Sequence, residues 1–144
     1  MVSFAQSIEV SRPIKEVFDF LDNPVNYMLW QANVADIATT NGMRKDSVIH
    51  FIQTGMGKHL KLSAKVTANN GHDMIAASSN TGPITFTSTY QLRALGPEKT
   101  ELTLNNQIDT GSIFSLAAPV LQHLAEVRYD ADLKTLKAIL EQGF

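Results

Sequence analysis

The chain has 144 residues, of which 44% are hydrophobic, and a formal net charge of −2, which predicts one domain, residues 1–144, whose core needs neither metals nor disulfides. The absence of cysteine excludes disulfides, thiolate nucleophiles and cysteine-based metal sites, and with no secretory signal in view we expect a cytoplasmic location. No segment approaches the roughly 20 apolar residues of a membrane span, and the mixed charges give no broad attraction for nucleic acid. We therefore expect neither a membrane span nor nucleic-acid binding.

The N-terminal segment predicts one strand followed by two short helices. Residues 2–10 alternate between apolar and polar side chains, as in a strand with one buried face, and Gln6 interrupts the apolar side. Ser11 is expected to cap the next helix, and Pro13 suits its first turn. The pair Asn23-Pro24 then begins a second short helix or turn, because the residue before proline resists helical geometry.

Residues 34–109 have turn-forming residues at the spacing that is typical of antiparallel strands. Turn residues recur at hairpin-sized intervals at Asn41-Gly42, Gly55–Gly57, Asn69–Gly71, Gly82-Pro83 and Gly96-Pro97. Between these turns, apolar and polar side chains alternate in residues 60–66 and 84–92, so one face of each strand is buried and the other faces water. Asn106 lies at an apolar-side position of the last predicted strand.

The segment Ser112–Gln142 predicts a long amphipathic helix that begins near Ala118, because Pro119 suits a first turn better than a helix interior. We expect one apolar stripe to pack against the sheet. Its members are Ile113, Leu116, Ala117, Val120, Leu124, Val127 and Ala131. A second apolar line, away from the stripe, consists of Leu133, Leu136 and Leu140. This second line packs against the first helix or strand, or forms a homodimer interface if it is exposed.

The element order predicts an α+β fold in which about seven antiparallel strands form a strongly bent sheet, with two short helices after the first strand and the long last helix across the concave face. The stretches IEVSRPIKEVFDFLDNPVNYMLW and RYDADLKTLKAILEQ, with the glycine-punctuated strands between them, resemble the START-related (SRPBCC) ligand-binding superfamily. That superfamily includes polyketide cyclases/dehydrases and the birch pollen allergen family. The resemblance implies a helix-grip cavity, and transport, binding and catalysis all occur on this fold.

Polar side chains on or beside apolar faces are the first candidates for a ligand site, because an unpartnered buried polar group costs about 1–3 kcal/mol. Gln6, Asn106 and Arg128 meet this description, although backbone or buried water is the favoured partner for the two amides. Arg128 could bind a carboxylate, phenolate or enolate through its planar donor fork. The favoured alternative is that it pairs with Asp132 one turn later or lies at the edge of the stripe.

Large apolar side chains could supply the wall of a cavity. The candidates are Trp30, Phe51, Phe86, Tyr90 and Phe114, with Leu124 from the last helix. Each aromatic ring could equally fill a core, and plain packing is the commoner role, so we expect one or two of them to reach a cavity.

Metal and acid–base sites receive little support from the sequence. The four histidines fit no zinc-binding spacing, and we expect no metal and no cofactor. His59, His72 and His123 are expected to be exposed, and His50 is the one acid–base candidate. No nucleophile or carboxylate partner for His50 is identifiable, so no catalytic residue is assigned.

Three functions follow as hypotheses. The leading one is binding or carriage of a small hydrophobic or aromatic ligand between the sheet and the last helix. The second is an enzyme resembling polyketide cyclases/dehydrases, in which Arg128, Tyr90 or His50 polarises a carbonyl and moves a proton. The third is a dimeric interaction module. Whether the protein catalyses a reaction stays open at this point.

Overall fold

The computed structural model describes residues 2–55, 58–79, 85–109 and 118–143. The strands are β1 (Val2–Val10), β2 (Val34–Thr39), β3 (Val48–Gly55), β4 (Lys58–Asn69), β5 (Met74–Ser78), β6 (Thr85–Gly96) and β7 (Lys99–Asp109). The helices are α1 (Ile14–Leu21), α2 (Tyr27–Trp30), which follows a single 3-10 turn (Pro24–Asn26), and α3 (Ala118–Glu141). All seven strands form one antiparallel sheet in the order β1-β7-β6-β5-β4-β3-β2, and α3 packs along β1. The predicted helix-grip architecture is confirmed.

The sheet is bent so that its concave face encloses the interior. Phe51 on β3 and Phe86 on β6 are in ring contact, with centroids 6.0 Å apart, although two strands separate β3 from β6. Side chains alternate between the two faces along each strand, as a pleated backbone requires. On β7, for example, Leu102 and Leu104 are fully buried while Gln107 is exposed. The concave face is therefore the apolar face that the sequence predicts.

The beginning of α1 differs from the prediction. Pro13, with no side-chain capping bond, occupies the position before the first helical residue, Ile14. The prediction that Ser11 caps the helix was wrong, because Arg12 and Pro13 separate it from the backbone N–H groups that a cap must reach. The Ser11 backbone N–H instead donates to the carboxylate of Glu141 at the end of α3, at 2.7 Å.

The side of α3 that faces the core is not the predicted one. Leu133, Leu136 and Leu140 are 2%, 0% and 5% exposed, whereas Leu124 and Val127 are 55% and 56% exposed. The predicted stripe was wrong at Leu124, Val127 and Ala131, which are exposed; its members at 113–117 and the side chain of Val120 lie outside what the structure describes. The error arose because the stripe was anchored on residues before the helix begins. The buried second line packs into the core, so it offers no dimer interface.

The C-terminal end of α3 is joined to the start of α1. Gly143 adopts φ +83°, a left-handed conformation that glycine tolerates, and its N–H donates to the Leu140 carbonyl. The guanidinium of Arg12 donates to the carbonyls of Leu140 and Glu141 at 2.7 and 3.0 Å. These bonds satisfy carbonyls that the helix itself leaves unpaired.

The core lies between the sheet, α1, α2 and the C-terminal part of α3. We call this region the closed half of the interior; its fully buried centre includes Val10, Val17, Leu21, Ile75, Leu102, Leu104 and Leu136. Four of these residues come from the helices or from β1, so packing here fixes how the helices sit on the sheet.

Candidate functional site

The other half of the concave face is less completely covered. We call it the open half and define it by six half-buried side chains and the buried side chain of Asn106; the six are Gln6, Phe51, Phe86, Ser88, Ile108 and Tyr129. Register places the β6 and β7 members side by side, because Phe86 pairs with Ile108 and Ser88 pairs with Asn106. The open half is therefore one continuous patch formed by the middle of β3, the start of β6 and the end of β7, with Tyr129 from the middle of α3.

Aromatic contacts form two sides of this patch. Phe51 and Phe86, both predicted as pocket residues, meet at an interplanar angle of 67°. On the opposite side, the rings of Phe4 on β1 and Tyr129 on α3 are 5.3 Å apart. Burial raises the pKa of Tyr129 to about 12, so its hydroxyl stays protonated at neutral pH. The patch thus combines apolar ring surface with neutral polar groups.

The predicted amides Gln6 and Asn106 lie together on the concave face. Asn106 pairs with Phe4 and Gln6 pairs with Leu104, so the two amides are diagonal neighbours on adjacent strands. The Gln6 side chain donates from Nε2 to the backbone carbonyl of Glu126 on α3 at 2.6 Å. The Ser88 hydroxyl donates to Oδ1 of Asn106. The sheet and α3 therefore hold both amides in fixed orientations.

Each amide keeps one buried atom without a hydrogen-bond partner. These atoms are Oε1 of Gln6 and Nδ2 of Asn106. Asn106 is only 2% exposed, so solvent does not compensate for the missing bond. An unsatisfied buried group of this kind costs about 1–3 kcal/mol and is uncommon in native proteins. Two such atoms lie on a patch that is bordered by half-buried aromatic rings, which makes this patch a candidate binding site.

Trp30 and Tyr90, also predicted as pocket residues, belong to a different cluster. Their rings are 6.1 Å apart, and Tyr27 lies within 5.9 Å of both. Trp30 is 1% exposed and Tyr90 5%, so both pack in the closed half. The hydroxyl of Tyr90 accepts a bond from Nε2 of Gln31 at 3.0 Å, and burial raises its pKa well above the usual value.

Arg128 is exposed, and no ion pair within 4.0 Å joins it to Asp132. Asp132 is 5% exposed and accepts a hydrogen bond from the backbone N–H of Ala32 at 3.4 Å. Burial raises the pKa of Asp132, and the Ala32 N–H and the charge of Arg128 act against that rise. The burial of this carboxyl was not predicted from the sequence. The pattern that could have indicated its burial is its position next to Leu133 and three residues after Tyr129, which places Asp132 on the buried side of the helix.

Two further candidates lie away from the concave face. Leu124 is on the exposed side of α3, and His50 is exposed on the convex face, opposite Ala38 and Ser63 in the ladder. The predicted exposure of the other histidines is confirmed; they are His59, His72 and His123. Phe114 lies outside the described residues.

The described segments show no cluster of three or more His, Asp or Glu side chains that could hold a metal ion. Across those same segments, no helix is long and apolar enough to cross a membrane.

Residues 1–141 match the family described as polyketide cyclase / dehydrase and lipid transport. No curated protein matches the chain in sequence. Among solved structures, the Zhui aromatase/cyclase from Streptomyces sp. R1128 superposes with a TM-score of 0.81 at 16% identity, covering 97% of this chain and 93% of that one. A START superfamily protein from Mycobacterium smegmatis gives a TM-score of 0.81 at 16% identity and covers 97% of each chain. The di-domain ARO/CYC protein BexL gives 0.77 at 13% identity, covering 98% of this chain and 47% of its own.

Proposed function

Because the chain belongs to the polyketide cyclase / dehydrase and lipid transport family, we propose that it binds a small, mainly apolar or aromatic molecule in the open half of its interior, between the sheet and α3. The observation that carries this proposal is the pair of unpartnered buried amide atoms, Gln6 Oε1 and Asn106 Nδ2, on a concave patch with aromatic sides. The similar structures named as an aromatase/cyclase and a START protein give further support.

The composition of the patch supports ligand binding over plain packing. Ligand sites are concave, mostly apolar surfaces with a few polar groups that orient the ligand. The open half has ring surface from Phe51 and Phe86 and polar groups from Ser88 and Asn106. In the closed half, by contrast, the concave side chains are buried and most of them are aliphatic. A patch that only filled a core would gain stability from apolar residues at the amide positions.

Fluorescence titration with N-phenyl-1-naphthylamine tests the proposal, because this neutral probe brightens in apolar surroundings. We expect saturable binding with one site per chain. Phe86→Ala removes a ring from the site and should weaken the probe about tenfold. Leu95→Ala removes an exposed apolar side chain from the same strand and should leave binding unchanged.

Thermal denaturation of both variants separates loss of the site from loss of the fold. The proposal fails if the folded protein shows no saturable uptake, or if the two variants change the affinity equally.

The two alternative functions have less support. Of the side chains predicted for catalysis, Arg128 and His50 are exposed and Tyr90 packs in the closed half. A dimer through the last helix loses its basis, because Leu136 and its neighbours are buried in the core. Turnover of a carbonyl-containing aromatic substrate that was lost in Tyr90→Phe with the fold intact would restore the enzyme alternative.

A further inference from the structure

The two unpartnered amide atoms in the open half are chemically complementary. Gln6 uses Nε2 to reach the Glu126 carbonyl, which leaves Oε1 as a free acceptor. Asn106 uses Oδ1 to accept from Ser88, which leaves Nδ2 as a free donor. As diagonal neighbours on β1 and β7, the two residues lie roughly 7 Å apart. One free acceptor and one free donor therefore lie at diagonal positions on the same face of the sheet.

We infer that this pair makes the site selective for a neutral hydroxyl group on an aromatic or polycyclic ligand. The inference rests on the proposed function and adds the ligand's polar group to it. A hydroxyl donates one hydrogen bond and accepts others, so it satisfies Gln6 Oε1 and Asn106 Nδ2 together. A ketone satisfies Asn106 and leaves Gln6 unpaired, and a bare hydrocarbon leaves both unpaired.

The charges around the patch disfavour an anionic ligand. The polar side chains of Gln6, Ser88 and Asn106 are all neutral, and Arg128, the cation predicted for this site, is exposed. The adjoining part of α3 contributes acidic residues, among them Glu126, whose backbone carbonyl accepts from Gln6, and the buried Asp132. A carboxylate would also place its negative oxygen against Gln6 Oε1. Burying such a charge without a cation is costly, so carboxylates and phosphates should bind poorly.

Both amide atoms are closed off from solvent in this structure. A ligand hydroxyl reaches them only when the side chains above them move aside. Tyr129 lies over this part of β1, and its ring contacts Phe4 next to Asn106. The half-buried end of the patch, at Phe51 and Phe86, is the side from which a ring system can approach.

A set of four matched probes tests the selectivity: 2-naphthol, 2-acetonaphthone, 2-naphthoate and naphthalene, each competing with N-phenyl-1-naphthylamine at neutral pH. A phenolic hydroxyl is neutral there, since its pKa is about 10. We expect 2-naphthol to bind about fivefold tighter than the ketone, because one more buried group is satisfied, and at least about tenfold tighter than the carboxylate.

Two variants assign the selectivity to the two atoms. Gln6→Leu removes the acceptor, so the preference for 2-naphthol over the ketone should disappear. Asn106→Leu removes the donor, so 2-acetonaphthone should bind no better than naphthalene, whereas 2-naphthol should keep its bond to Gln6 and bind more weakly than it does to the wild type. Asn105→Leu changes the neighbouring residue on the opposite face of β7 and should preserve the wild-type ranking.

The possible outcomes separate this inference from the proposed function. Equal affinity for all four probes overturns the hydroxyl selectivity while leaving ligand binding intact, and it is the result expected if the amides hold only a buried water. Tighter binding of the carboxylate also overturns the selectivity. Binding of none of the probes contradicts the selectivity and the proposed function together.

Discussion

The two ends of α3 are built from similar residues but have different surroundings. In the C-terminal part, Leu133, Leu136 and Leu140 are at most 5% exposed and pack against the closed half. In the N-terminal part, Leu124 and Val127 are more than half exposed, and the side chains turned toward the sheet are half-buried. One continuous helix therefore serves a packed core at one end and a loosely covered patch at the other.

This difference indicates that the two ends of the helix have different roles, one in stability and the other in binding. The C-terminal part is fixed by aliphatic packing and by the bonds from Arg12, which should make it the more stable end. The N-terminal part covers unpaired polar atoms that lower stability, as functional sites commonly do. We expect substitutions at the two ends to separate stability from binding.

The largest effect on stability should come from Leu136→Ala in the closed half. Leu136 is fully buried, so truncation removes apolar burial and leaves a cavity, at a cost of about 2–5 kcal/mol. Leu124→Ala is the matched control, because it makes the same change on the same helix at a site that is 55% exposed, and it should change stability by less than about 0.5 kcal/mol. Urea unfolding measures both, and similar losses would contradict the comparison.

A smaller loss is expected from Arg12→Ala. The Arg12 guanidinium bonds two carbonyls at the end of α3, and its side chain is 31% exposed, so we expect a loss of about 1–2 kcal/mol in the free energy of unfolding. Lys15→Ala is a suitable control, because its ion pair with Asp19 is exposed and contributes little. Faster hydrogen exchange at the C-terminal end of α3 in Arg12→Ala would locate the effect, and unchanged exchange there would contradict it.

Asp132→Asn should have a smaller, stabilising effect that depends on pH. Burial raises the folded-state pKa of Asp132 above the unfolded value of 3.8, so its contribution is fully present below pH 3.8 and is lost as pH rises through the folded pKa. Asparagine keeps an acceptor for the Ala32 N–H and cannot ionise. The variant should match the wild type at low pH and become the more stable protein as pH rises.

Unfolding by urea at several pH values checks this prediction. Asp130→Asn is the control, because Asp130 is exposed and paired with Lys134, so its loss should not stabilise the protein. A stability difference between Asp132→Asn and wild type that stays constant with pH would show that ionisation of Asp132 is not responsible.

Local patterns were sufficient to predict the strands, the start of α3 and the turns near Asn41-Gly42, Asn69–Gly71 and Gly96-Pro97. The turns predicted at Gly55–Gly57 and Gly82-Pro83 include positions outside the described residues. Alternation and turn residues are encoded within a few neighbouring positions, and Pro119 indicates where the helix begins. The same alternation identified Gln6 and Asn106 as polar groups on the apolar face, and the structure places them together. Their proximity follows from the register of β1 and β7, which alternation within each strand does not contain.

The helix face and Asp132 could not be predicted in the same way. Both ends of α3 have apolar residues on more than one side, so periodicity alone does not identify the buried side. The buried side is decided by contact with β1, α2 and the core. Asp132 is buried because the loop after α2 brings the Ala32 N–H onto it, which is a contact between residues 100 positions apart.

The smallest effect on stability, and the sharpest test of the comparison, should come from the paired change Ser88→Ala/Asn106→Leu. It removes a hydrogen bond and an unpaired donor together, and replacing both partners with apolar groups is nearly neutral or stabilising. Ligand binding should nevertheless fall, because the donor at the patch is gone. We expect urea unfolding within about 1 kcal/mol of wild type and at least a fivefold weaker affinity for 2-naphthol. If Ser88 and Asn106 served only the fold, the paired variant would lose stability while its affinity for 2-naphthol stayed the same. If the variant keeps its stability and loses affinity, the open half retains these two side chains for the ligand.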